Sequence, residues 1–214
     1  MTRRTRTVAQ ALGAAIVVAL LSACGTSMAG NAAVVGTTAV SEAQVNDIFT
    51  ELRDQLATDP AQKGQPLDEG YTVVTITNRL TRSILLAEAA RRQGVVVTQT
   101  QVDTLVNDAL KTQFSGNRAA LDSALARGQN AVPASEIDAL VRDVLLASAL
   151  GKSLVPNGTT DQQNAAARAA VQKVAAEWGV EISPRYGSWD PKTNSIVVAP
   201  DDLSVIPVVP PAGK

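Results

Sequence analysis

Few side chains in this 214-residue chain could do chemistry, and their types narrow the options quickly. There is one cysteine, Cys24, and there is no histidine. Histidine is the commonest metal ligand and the group best suited to acid–base work near neutral pH. Its absence excludes Ser-His-Asp, Cys-His and histidine-rich metal sites. Carboxylate, lysine and tyrosine chemistry remains, but no paired-carboxylate motif and no glycine-rich phosphate loop occurs. Gly151-Lys152-Ser153 has the ending of a phosphate loop, yet Leu146 stands where the first glycine belongs and no strand precedes it. The expectation is a protein that is not an enzyme and holds no cofactor or metal.

The one reactive group left is the Cys24 thiol, and its surroundings say what it is for. Arg3, Arg4 and Arg6 precede an apolar run of 11 residues, Ala11 to Leu21, and small residues follow. This is the basic, apolar and small-residue layout of an export signal, and it is too short for the ~20 residues of a spanning helix. Leu21-Ser22-Ala23-Cys24 resembles the lipobox of bacterial lipoproteins at every position. The resemblance implies lipid transfer to Cys24, cleavage between Ala23 and Cys24, and an extracytoplasmic chain anchored to the cell membrane by acyl groups such as palmitate. A plain secretory signal would leave Cys24 as a lone thiol with no disulfide partner. Arg3-Arg4 is followed by Thr5-Arg6-Thr7 rather than bulky apolar residues, which argues against a twin-arginine signal. Removal of residues 1–23 leaves 191 residues with 16 basic and 20 acidic side chains, a net charge of −4. Such a chain has no electrostatic footprint for nucleic acid.

The elements that follow must position anything else. Residues 24–31 are small and polar and read as a tether; 32–36 reads as a strand. A helix starts at Ser41, with a capping box to Gln44 and a staple between Val40 and Val45. It carries Val45, Ile48, Phe49, Leu52 and Leu56 at helical spacing. A long helix over 70–93 has Val73, Ile76, Leu80, Ile84 and Leu85 toward the core, and Gly94 stops it. Val97, Thr98 and Gln101 repeat the staple and box before a third helix bearing Val102, Leu105, Val106, Ala109 and Leu110. Helices at 116–127, at 134–154 (Ile137, Leu140, Val141, Val144, Leu145) and at 161–178 complete six. Beyond Gly179 the pattern becomes extended: Val180 to Ile182, Tyr186 to Trp189, a turn at Asp190 to Asn194, and a strand from Ser195 to Val198. Six of the ten prolines lie at or after Pro184, so 200–214 reads as a proline-rich tail. The fold class is mainly α, a helical domain over 32–199 whose small sheet joins the N-terminal strand to the C-terminal hairpin.

This succession resembles the N-terminal chaperone domain family of the periplasmic foldase SurA, a family related to PrsA and trigger factor. Val34-Val35 through Val40-Ser41 match its opening strand and turn. Leu86, Ala90, Gly94, Val95, Val97, Thr98 and Val102 match its long helix and the turn into the next. Leu121 and Leu125 match the short helix, with Gly128 one residue early, and Arg142 with Leu145-Leu146 fit the helix after it. Val180 to Asp190 resembles the ending of a group of lipoproteins carrying this domain. The resemblance implies binding of unfolded or secreted polypeptides. Relatives with prolyl isomerase activity add a parvulin domain whose site uses histidines, and this chain has neither, so isomerase catalysis is not expected. The aromatic residues Trp178, Tyr186 and Trp189 serve either the core of the small sheet or a contact surface for a peptide or partner. Two functions are compatible with these features: a lipid-anchored chaperone or holdase, and a structural lipoprotein that docks one dedicated envelope partner.

Lipid attachment is testable directly. Mass spectrometry of the membrane fraction should find an N-terminal Cys24 carrying acyl chains, and Cys24→Ser should leave the precursor unlipidated. Wild-type protein found wholly in the soluble fraction and cleaved at another bond would contradict this.

Overall fold

The computed structural model describes residues 28–59 and 67–198. Ala23, Cys24, the export signal, most of the tether and the tail at 200–214 lie outside the described residues. The fold begins with two short strands, Asn31–Val35 (β1) and Thr38–Ser41 (β2), paired antiparallel with Val35 opposite Thr38. The two-residue turn between them needs Gly36, whose φ is +59°. A Cβ there would also stand 3.2 Å from the Trp178 ring.

Six α-helices follow among the described residues: Glu42–Ala57 (α1), Glu69–Arg92 (α2), Gln99–Gln113 (α3), Arg118–Arg127 (α4), Ile137–Leu154 (α5) and Thr160–Trp178 (α6). Local signals set their ends. Ser41 Oγ accepts from Gln44 N at 3.0 Å, one half of the expected capping box, and Ser41 is at the same time the last residue of β2. Both halves form at Thr98–Gln101, and again at Thr159–Gln162. At the end of α2, Val95 N bonds Ala90 O and Gly94 N bonds Arg91 O around a left-handed Gly94, a Schellman stop.

The chain then returns to its start. Val180–Ile182 (β3) pairs antiparallel with β1, Val34 opposite Glu181, giving a three-stranded sheet in the order β2-β1-β3. The expected link between the N-terminal strand and the C-terminal region therefore forms, through β3. Ser188–Asp190 (β4) and Ser195–Val197 (β5) make a separate antiparallel hairpin with Trp189 opposite Ile196. An isolated hairpin is marginal in water, and this one rests on helices. Asn78 of α2 accepts from Ile196 N at 3.0 Å, and Gln172 of α6 donates to Lys192 O at 2.9 Å. Tyr186 sits in a single 3-10 turn, Pro184–Tyr186, rather than in a strand.

The central position of β1 explains its sequence. Ala32 to Val35 are all buried, because helices cover both faces of the strand. Val35 packs with Leu85, Leu150 and Val174 of α2, α5 and α6. Ala32 and Ala33 pack with Val45, Ile76 and Tyr186. Farther along, Val102, Val106, Leu121, Val132 and Ile137 form a third cluster where α3 and α4 meet the start of α5.

The α2 helix buries more than its aliphatic stripe. Thr72, Thr77 and Thr81 are inside as well. Each hydroxyl bonds the carbonyl four residues back: Asp68 O at 2.6 Å, Val73 O at 2.8 Å and Thr77 O at 2.8 Å. That back-bonding satisfies the hydroxyl within the helix and lets a polar residue occupy a core position. Two residues expected to face inward do not: Leu105 and Val144 are exposed. Val144 lies on the part of α5 that borders an open groove, so its face meets no neighbouring helix.

Because β3 closes the sheet and Tyr186 is 5 % exposed, cutting the chain after Gly179 should destabilise the whole domain. Loss of the buried aromatic alone is worth about 3 kcal/mol or more, a fall of about 10 °C in Tm for a chain of this size. Thermal melts decide it: a chain cut after Gly179 that melts like the full-length protein would make β3 and the hairpin a mere appendage.

Candidate functional site

The sequence singled out Trp178, Tyr186 and Trp189 as core or contact surface, and the structure separates them. Tyr186 is buried against α1 and α2 beneath the sheet. Trp178 is half-buried over Gly36, with the Arg92 guanidinium 5.9 Å from its ring centroid. Trp189 is half-buried against the cluster of α2, α5 and α6. None of the three lines the groove described below.

That groove, about 620 Å³, lies between α2, α5 and α6 and is closed on one side by the β4–β5 turn. Its apolar lining comes from Val74 and Leu86 of α2, Leu140 and Ala147 of α5, Val171 of α6 and Ile196 of β5. Tyr71 at 64 % exposure and Val144 at 54 % stand on it as large apolar groups open to solvent. Along α2 it runs from Tyr71 to Leu86, about 22 Å of helix at roughly 1.5 Å per residue. That length accommodates about six residues of extended chain at roughly 3.3 Å each. The volume is in the range of ligand sites, about 300–1,000 Å³.

The polar side is built mainly by α2 and α5. Arg79 Nη1 pairs with Glu136 at 2.8 Å just before α5, and its side chain is only 10 % exposed. Its Nε and Nη2 make no hydrogen bond among the described residues. Ser83 Oγ donates to Asp143 Oδ1 at 3.0 Å. Burial pushes the Asp143 carboxyl above the usual range, partly offset by that bond and by the charges of Arg79, Arg142 and Arg82. Arg82 and Arg168 complete the set of lining charges. At the turn, Asn194 is buried with φ +52°, a left-handed conformation asparagine tolerates. Its Nδ2 reaches Arg168 O at 3.5 Å, while its Oδ1 has no partner among the described residues.

Among the described residues no cluster of His, Cys, Asp or Glu could ligate a metal, and no helix is long and apolar enough to cross a membrane. The groove was not found from the sequence. Tyr71 and Val144 fit an amphipathic pattern equally well whether a neighbouring helix covers them or not, and Arg82 and Arg168 look like solvated charges.

In the last turns of α2, Arg91 and Arg92 converge on one carboxylate. Arg91 bonds Glu88 at 2.7 and 2.9 Å and Arg92 bonds it at 2.8 Å, while Arg92 also pairs with Glu177 of α6. The bonds from Arg91 and then Arg92 hold Glu88, 7 % exposed, down at a pKa of about 2. No family model, curated protein or solved structure matches the chain.

A carboxylate whose pKa is lowered on folding adds stability above its unfolded pKa, and that stability is lost as pH falls through the folded value. The wild-type protein should therefore out-melt Glu88→Gln at pH 7, and the gap should close between about pH 4.5 and 2. A gap that stays constant across this window would contradict the account.

Proposed function

We propose that this protein is a membrane-anchored extracytoplasmic chaperone of the holdase type. It binds segments of unfolded or secreted polypeptides without catalysis. The observation that carries the reading is the groove along α2, with its apolar lining and exposed Tyr71 and Val144. Tyr71 and Val144 border the same concavity as the apolar lining, and apolar surface gathered at a groove marks interaction sites. A length of about six extended residues suits a chain segment better than a compact metabolite. The order of elements, strand, helix, long helix, Gly94-Val95-Val96-Val97-Thr98, helix, supports the same reading through its resemblance to SurA-type chaperone domains. Attachment through Cys24 would place the groove beside the membrane that clients cross.

Light scattering of an aggregating denatured protein tests the proposal. The full chain in mild detergent should suppress aggregation in near-stoichiometric amounts without ATP. Tyr71→Ala with Val144→Asp, both on exposed positions, should raise the amount needed several-fold without lowering the melting temperature. No suppression at large molar excess, together with stable capture of a single envelope protein, would favour the dedicated scaffold instead.

A further inference from the structure

The charges along the groove are not balanced. Arg79, Arg82 and Arg168 line it against the single acid Asp143, and with Arg79 paired to Glu136 a surplus of one positive charge remains, in a chain of net charge −1. Most other arginines are occupied: Arg53, Arg91, Arg92, Arg118, Arg127 and Arg185 are in ion pairs, and Arg142 bonds Gln99. Arg79 is paired to Glu136, and Asp143 is engaged by Ser83. Among the described residues Arg82 and Arg168 are the two arginines with neither an ion pair nor a side-chain hydrogen bond, and both are exposed at the groove. They come from different helices, α2 and α6, so no single helix periodicity puts them there.

We infer that the groove selects among polypeptide segments by charge, taking those in which acidic side chains alternate with aliphatic ones. The carboxylates pair with Arg82 and Arg168, and the aliphatic side chains rest on the Leu140, Val171 and Ile196 surface. Arginine suits this role because its planar fork pairs bidentately with a carboxylate. A local positive field on a protein of opposite net charge also steers acidic segments inward and turns basic ones away. The inference rests on the holdase reading and narrows it from any unfolded chain to acidic, aliphatic segments.

Fluorescence anisotropy on the full chain in nonionic detergent tests this with three labelled nine-residue peptides. They share the same aliphatic residues and carry two Asp, two Ser or two Lys. The aspartate peptide should bind about tenfold more tightly than the lysine peptide at low salt, with the serine peptide between them. Arg82→Gln with Arg168→Gln should compress that ratio to about twofold or less at unchanged melting temperature, while the control Arg53→Gln leaves it intact. Equal affinity for all three peptides would overturn the charge selection and leave the holdase reading standing. Loss of every peptide signal, with no suppression of aggregation, would overturn both. Binding of vesicles containing anionic lipid in place of any peptide would overturn the inference and assign the arginines to the membrane surface.

Discussion

The antiparallel pairing of Ala33 to Val35 with Val180 to Ile182 ties the first described strand to the last turn of the helical array. Everything between these strands is held as a closed loop. Gly36 lies under the Trp178 ring at the end of α6, so the β1–β2 turn and the close of α6 must be in place together. Val35 on β1 packs with residues from α2, α5 and α6, which are the three helices that wall the groove. Leu86, Ala167 and Val171 of the groove lining belong to that same packed region, so the sheet and the groove share one base.

The α2 helix serves both core and groove. It buries Ile76, Leu85 and Ala89 together with the threonine ladder of Thr72, Thr77 and Thr81. Those hydroxyls are satisfied by their own helix, so they need no partners across the interface. Tyr71, Val74, Arg79, Arg82 and Leu86 of the same helix line the groove. The hairpin completes the wall at small cost in sequence, since Asn78 and Gln172 clamp its backbone to α2 and α6. At the far end of α2, Glu88 gathers Arg91 and Arg92, and Arg92 extends the network to α6.

The helices were legible in the sequence because their ends are written in local chemistry. Thr98 with Gln101 starts α3, and Gly94 stops α2 through its left-handed conformation. The β1–β3 link was legible because Val180 to Ile182 needs a partner and only one other strand candidate stood out. Thr38–Ser41 was not, since the cap and staple read there hid a third strand in the same four residues. The groove was invisible for a different reason. A helical period tells which residues share a face, not whether a neighbour covers it, and so Val144 was expected in the core. Tyr186, open between core and contact surface in the sequence, lies in the core under the sheet.

The central claim is that polypeptide lies along α2 and α5, and photo-crosslinking tests it most directly. Benzoylphenylalanine placed at Val144, which lines the groove, and at Val96, an exposed position off it, compares two open sites on one chain. Incubated with a denatured client and irradiated, the protein labelled at Val144 should form client adducts many times more abundantly than that labelled at Val96. Equal adducts at the two positions, or adducts at Val96 alone, would contradict the account.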